Sequence, residues 1–321
     1  MHSFEDLSKQ FAQYFNVRHF PKEPSSLYDA DEYFLSLGGK RIRPVMCLMG
    51  NELFDEISKD AWPVAAAIEL FHNFTLIHDD IMDKAPLRRN QPTVHAKYGE
   101  STALLSGDVM LIVAYDYLNK VSNDYLHKVI HLFNQTAREV CEGQQMDMDF
   151  EKQEVVKMDE YIRMIELKTS VLLAASLRLG AILGGAGQAN QEHIYAFGRN
   201  LGIAFQIQDD YLDAYGDPAK FGKQPGGDIM ANKKTFLMIK ALESANPVQL
   251  KELKRLMQEN PEDKVPRVLS VFDDCGVNKW AAGLKEKYIT EAFEHLEEMA
   301  VVTSRKEPLR ELAHFLVQRE H

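Results

Sequence analysis

The chain has 321 residues, 45% of them hydrophobic, and carries 37 Lys and Arg against 48 Asp and Glu for a formal net charge of −11. That apolar share is enough for a core and unlike a disordered composition, and the acidic balance excludes nucleic acid as the expected partner. It does not exclude a small anionic substrate, because local basic clusters decide that.

The opening residues, MHSFEDLSKQF, are polar and partly acidic, unlike a signal or transit peptide. Residues 3–16 predict a short amphipathic helix and HFPKEPSS (19–26) a loop. Helical periodicity resumes near Tyr28 and reaches GGKRIRP (38–44), where Gly38 and Gly39 break the pattern and Pro44 suits the first turn of a new helix. Further helices are predicted over 44–55, 61–83, 100–120, 124–150, 159–186 and 189–214. The stretch 215–232 is dense in Gly and Pro and reads as a long loop, a kind of segment that often serves as a lid or binding element. Helical pattern returns at 233–245, 247–259, 264–274, 276–299 and 305–319. No series of alternating strands, fixed-period repeat or linker-like shift appears, so the expectation is one all-α domain over 1–321. The small residues of 174–187 permit close helix contact.

No run approaches the roughly 18 apolar residues of a membrane span. Asp108 and Asp116 bracket 109–115, and Arg178 interrupts 171–187. Three widely spaced cysteines (Cys47, Cys141, Cys275) lack metal-ligand spacing and point to reduced thiols in a cytoplasmic protein.

The chemistry centres on IELFHNFTLIHDDIMDKAPLRRNQPTVH, residues 68–95. On a helix Asp79 and Asp83 share one face, one turn apart, with Asp80 beside them. Carboxylates this close raise one another's pKa unless compensated, and oxygen-only ligands suit Mg²⁺ or Ca²⁺. A single acidic cluster is as readily a solvated helix end. The motif recurs, however, in AFQIQDDYLD (204–213), where Asp209, Asp210 and Asp213 repeat the spacing about 130 residues later. Two triads sharing Mg²⁺ across a cavity would make a site for a diphosphate, since Mg²⁺ commonly binds a few carboxylates plus phosphate oxygens.

Lys40, Arg41 and Arg43 beside the Gly pair read as a diphosphate clamp or as a basic surface loop. Arg88 and Arg89 leave the top of the acid-rich helix, where they are solvated unless an anion binds. His72 lies seven residues before Asp79, on the same face about 10 Å lower, a position more often held by a satisfied core histidine. Lys168-Thr169 sits among apolar residues, where the lysine snorkels or meets a partner charge. Gln206, one turn before Asp209, either enters the same cavity or bonds backbone. Lys223, Asp228 and Lys233 matter only if the 215–232 loop closes over phosphate.

Together these residues resemble the trans-isoprenyl diphosphate synthases, the family of farnesyl and geranylgeranyl diphosphate synthases. The match spans roughly residues 35–240 through GGKRIRP, ELFHNFTLIHDDIMD, LRRNQPTVH, GQQMD, KT, FQIQDDYLD and GK…GGD…K.T. The resemblance implies the all-α class I terpenoid synthase fold, a helical bundle around a deep cavity, a homodimer and a Mg²⁺ requirement. By position it makes Asp79, Asp83 and Asp209 the main ligands of about three Mg²⁺ ions, with Asp80, Asp210 and Asp213 supporting. Arg88, Lys168 and Lys233 would hold the diphosphate of the allylic prenyl substrate. Lys40, Arg43, His72 and Arg89 would hold that of isopentenyl diphosphate, and Thr169 and Gln206 would lie near the developing carbocation.

Chain length is read from the helix carrying Asp79. Geometry puts Thr75 one turn below it and Phe71 two turns below and slightly aside. Geometry places Phe74 well off that stripe. The family nonetheless associates a bulky residue five before the first Asp, here Phe74, with a shallow floor. With no insertion inside DDIMD and one aromatic where short-chain animal farnesyl enzymes carry two, the resemblance favours a geranylgeranyl synthase, with a farnesyl synthase next. A terpene cyclase also ionises a prenyl diphosphate on DDxxD, but needs no second substrate site and usually varies the second motif. Squalene- and phytoene-type synthases are further away. A non-catalytic partner subunit would be expected to have lost one acidic motif, and neither is lost; a metal-buffering helical protein is the remaining alternative from another class.

Overall fold

The computed structural model describes residues 1–216 and 225–317, and almost all regular structure among them is helical. Helix α1 (Phe4–Phe15) opens on Ser3, whose hydroxyl accepts from the Asp6 amide at 3.1 Å and so satisfies one orphan donor of the first turn. It is followed by α2 (Ser25–Ser36), α3 (Ile42–Glu52) and α4 (Ala61–Met82). A tight hairpin then pairs β1 (Leu87–Arg88) with β2 (Gln91–Pro92), Arg88 opposite Gln91. Next come α5 (Val94–Tyr98), α6 (Glu100–Leu118), α7 (Asn123–Lys152) and α8 (Met158–Ile165). A π-helical turn, Glu166–Ser170, leads into α9 (Val171–Leu183), and α10 (Gln188–Tyr215) carries the second acidic motif.

Beyond residue 224 the chain forms α11 (Gly227–Met230), α12 (Phe236–Ser244), α13 (Pro247–Glu259), α14 (Lys264–Asp274), α15 (Val277–Glu298) and α16 (Thr303–Val317). The all-α expectation therefore holds. Local departures are the hairpin, α5 and α11, each too short for periodicity to reveal, and the π turn inside the helix expected over 159–186. Residues 217–224 of the expected loop, Lys223 among them, and 318–319 of the expected last helix lie outside the described residues.

The chain divides into two compact units, with α7, α9, α10 and α16 passing from one to the other. The first comprises Met1–Phe133, Ser176–Gln191 and Val301–Pro308. In it α4 packs along α6 and α3, with α1 on α3 and α2 on α6. Its core is α4's own sequence: Val64, Ala65, Ala66, Ala67, Ile68 and Leu70 are completely enclosed. The small-residue run brings Gly180 and Gly184 directly against the backbone of Cys47 and Asn51 on α3, the close contact its composition allowed.

The second unit holds Asn134–Ala175, Glu192–Ala300 and the chain from Leu309 on. Its core gathers Tyr161 of α8, Ile203 and Ile207 of α10, Phe236 of α12, and Val268 and Phe272 of α14. Burial of such side chains contributes about 1.5–3 kcal/mol each. Among the described residues no helix is long and apolar enough to cross a membrane.

Candidate active site

In the first unit α4 delivers the first acidic motif at its C-terminal end, and the three carboxylates meet different fates. Asp80 is buried, 1% exposed. The β1 hairpin returns Arg88 onto it, Nε lying 2.9 Å from both carboxylate oxygens and a terminal nitrogen 2.8 Å from Oδ1. Burial pushes the Asp80 carboxyl up and the Arg88 bond pulls it down. Asp79 is half-buried, with Arg88 3.8 Å away, and Asp83 is the exposed C-cap residue. The outer pair thus keeps the one-turn spacing that faces a cation.

The basic loop is anchored to the same helix. Arg41, left-handed at φ 51°, pairs with the buried Glu69 of α4 and donates to the Leu35 carbonyl at 3.2 Å. Arg89 reaches back to donate to the carbonyl of Gly38. Arg43 lies 3.1 Å from His72 Nε2. A guanidinium can only donate, so Nε2 accepts and the proton of the neutral ring sits on Nδ1. Burial holds the His72 pKa well below the usual range, and Arg43, Arg89, Arg88 and Arg41 push it further down. Arg41 is paired with Glu69 and Arg88 with Asp80, so the positive charge beside the imidazole that suits an anion is that of Arg43 and Arg89. Lys40 lies exposed on this loop.

Of the chain-length residues, Phe71 is core, 1% exposed and packed edge-on to Phe133 at 5.3 Å. Phe74 is half-buried between Phe71 and His78, with ring centroids at 5.7 and 4.8 Å. The Thr75 hydroxyl donates to the His72 carbonyl at 2.8 Å.

The second unit contains a cavity of about 470 Å³ whose wall carries Asp209, Asp210, Asp213, Lys168, Thr169, Gln206 and Lys233. Here too the middle carboxylate is enclosed by the protein. Asp210 is buried and accepts from the Tyr161 hydroxyl at 2.5 Å and from Gln206 Nε2 at 2.8 Å, while Asp209 and Asp213 are half-buried. Its pKa is pushed up to about 7, first by burial and next by Asp228. Asp213 accepts from the Asp228 amide at 2.9 Å, joining α10 to the start of α11. Lys233 follows α11, its Nζ 3.8 Å from Asp228.

Lys168 and Thr169 stand on the π turn. Such turns are rare and often mark functional sites. Two glycines on neighbouring helices make room for it here. A Cβ on Gly143 of α7 would overlap the Lys168 amide, and one on Gly202 of α10 would lie 2.7 Å from Ser170 Cα. The bulge is accommodated because both neighbours lack that atom. It turns Lys168 Nζ to Asp147, 2.6 Å away, and Thr169 Oγ1 to Gln206 Oε1 at 3.3 Å. Sequence reasoning assigned no role to Tyr161, Asp147 or Lys234, which share this wall with Asp228, a residue given weight only if the 215–232 loop closed over phosphate. Asp147 carried a signal within GQQMD; Tyr161, one aromatic among apolar helix positions, carried none.

The donor set suits Mg²⁺: carboxylate oxygens alone, in two pairs at one-turn spacing, half-buried except for the exposed Asp83. Among the described residues no group of three or more His, Cys, Asp or Glu is gathered tightly enough to hold a metal by itself. That fits an ion whose remaining ligands come from phosphate oxygens and water.

A helical fold bearing two acidic triads and a basic loop is that of the isoprenoid synthases. The chain belongs to the polyprenyl synthetase family, whose model matches residues 24–273. It is 38% identical over 300 residues to the geranylgeranyl diphosphate synthase of Methanosarcina mazei, covering 93% of this chain and 91% of that one. A crystal structure of a geranylgeranyl pyrophosphate synthase superposes with TM-score 0.95 at 42% identity, covering 100% of both chains. A geranylgeranyl pyrophosphate synthetase from Pyrococcus horikoshii superposes with TM-score 0.92 at 33% identity, covering 98% of each.

Proposed function

We propose that the chain is a trans-prenyltransferase that adds isopentenyl diphosphate to an allylic diphosphate and stops at geranylgeranyl diphosphate. The supporting observation is the arginine cluster around neutral His72. The acidic motifs account for one ionising diphosphate; a basic cluster beside His72 is needed only if a second diphosphate is bound. A terpene cyclase, acting on one, has no use for it.

In this reading Asp79, Asp83 and Asp209 are, by the family resemblance, the main holders of about three Mg²⁺ ions. Asp80, Asp210 and Asp213 support them. When bound, Mg²⁺ supplies Lewis-acid neutralisation of the departing diphosphate. Arg88, Lys168 and Lys233 bind the allylic diphosphate and lower the cost of charge separation as its C–O bond ionises. Lys40, Arg43, Arg89 and His72 fix isopentenyl diphosphate, His72 through its Nδ1–H, so that its double bond stands at attack distance from the allylic cation. Thr169 and Gln206 offer oxygen to that cation. The new C–C bond forms, a proton leaves to the departing diphosphate, and the longer trans product remains. Water must be excluded throughout. The family resemblance supports a homodimer, the three widely spaced cysteines a cytoplasmic protein, and the absence of a linker-like composition shift a single domain.

Incubation of the purified protein with Mg²⁺, labelled isopentenyl diphosphate and each of the C5, C10 and C15 allylic diphosphates tests the proposal. A C20 diphosphate is the expected end product; a C15 product would move the assignment to farnesyl diphosphate synthase. No elongation with any primer would overturn it.

A further inference from the structure

The wall carrying Thr169 and Gln206 contains a hydroxyl that the reaction scheme above does not use. Tyr161 is 1% exposed, its ring set 6.0 Å from that of Phe236, and its hydroxyl donates to Asp210 Oδ2 at 2.5 Å. The other oxygen of that carboxylate, Oδ1, accepts from Gln206 Nε2 at 2.8 Å. A carboxylate gripped at one oxygen can turn about its Cβ–Cγ bond; gripped at both, it is fixed. An amide whose NH₂ is committed to Asp210 must present its carbonyl the other way, and that Oε1 accepts from Thr169 Oγ1 at 3.3 Å. Thr169, having given its only proton, is left with lone pairs. With Asp210 ionised, every hydrogen bond in the series has a single direction, set by a carboxylate that can only accept and held in place by the phenol.

We propose that Tyr161 is a positioning residue: by pinning Asp210 it fixes the orientation of the Gln206 amide, so that Gln206 and Thr169 turn oxygen, and not N–H, toward the reacting centre. The inference rests on the prenyl-transfer reading and adds a residue to it. The negative end of a preorganised dipole stabilises positive charge as it develops, whereas a flipped amide would oppose it. The effect expected falls on the developing cation and so on kcat; a loss carried instead by the support Asp210 gives to Mg²⁺ would show in KM.

Tyr161→Phe retains the ring and removes one oxygen. With Mg²⁺, isopentenyl diphosphate and the C15 allylic diphosphate, kcat should fall about tenfold or more while both KM values stay within about twofold. In a Gln206→Ala background the same change should cost kcat nothing further, because the residue it orients is gone. Equal losses in both backgrounds, an unchanged kcat, or a rise confined to KM would each overturn the proposal. If the wild-type protein itself fails to elongate any primer, prenyl transfer is what fails. The relay is then judged from the Gln206 side-chain amide in an NMR spectrum of the nitrogen-15-labelled protein without substrate: sharp in the wild type and broadened in Tyr161→Phe if it holds, identical in both if it does not.

Discussion

Asp80 and Asp210 occupy the same place in two matched motifs and are enclosed in different ways, one by the guanidinium of Arg88 and the other by a phenol and an amide. A buried carboxylate without such partners is costly. The first unit contains a contrasting case in Asp31, fully buried, with Oδ1 accepting from Ser106 at 2.6 Å and Oδ2 without a hydrogen bond. Burial raises its pKa to about 7 from the ordinary carboxyl value of 3.8. The sign follows directly. Below the unfolded value both states are protonated; as pH rises from about 4 to 7 the unfolded chain ionises while the folded one holds its proton, so stability is lost. At 1.36 kcal/mol per unit this amounts to a few kcal/mol over the whole window. Urea unfolding at pH 5 and pH 8 should therefore find Asp31→Asn gaining on the wild type by about 2 kcal/mol at the higher pH. A difference between the two proteins that is the same at both pH values would contradict this.

At the scale of elements, α4 combines the most roles. Its buried alanine-rich half fixes the axis, Glu69 anchors the basic loop through Arg41, His72 and Phe74 follow, and the acidic motif closes it. Most of this was legible in the sequence, because helical periodicity places residues on faces. What was not legible came from elsewhere in space. The π turn is one extra residue per turn, permitted by Gly143 and Gly202 on other helices. The capture of Asp80 depends on a hairpin too short to leave a pattern. Tyr161 looks like any core aromatic until its hydroxyl is placed. Phe71 proves to be enclosed core, packed on Phe133, whereas Phe74 is half-buried on the same helix. If Phe74 is the floor for the growing tail, Phe74→Ala should lengthen the product by one or more C5 units on thin-layer analysis. An unchanged product would remove Phe74 from that role.

For the whole molecule, a net charge of −11 and two anionic substrates are compatible only because charge is segregated. The first unit gathers arginines around His72, and the second sets five aspartates and three lysines along one cavity. Carboxylates concentrated in this way repel a diphosphate unless a cation intervenes, and among the described residues the protein gathers no complete metal cluster of its own. Divalent metal and diphosphate are therefore expected to bind as mutually dependent ligands. The direct test is to strip the purified enzyme with excess EDTA, assay the joining of labelled isopentenyl diphosphate to the C15 primer, and then restore Mg²⁺. Condensation should vanish on chelation and return with Mg²⁺; condensation that continues at an undiminished rate in EDTA would contradict the account.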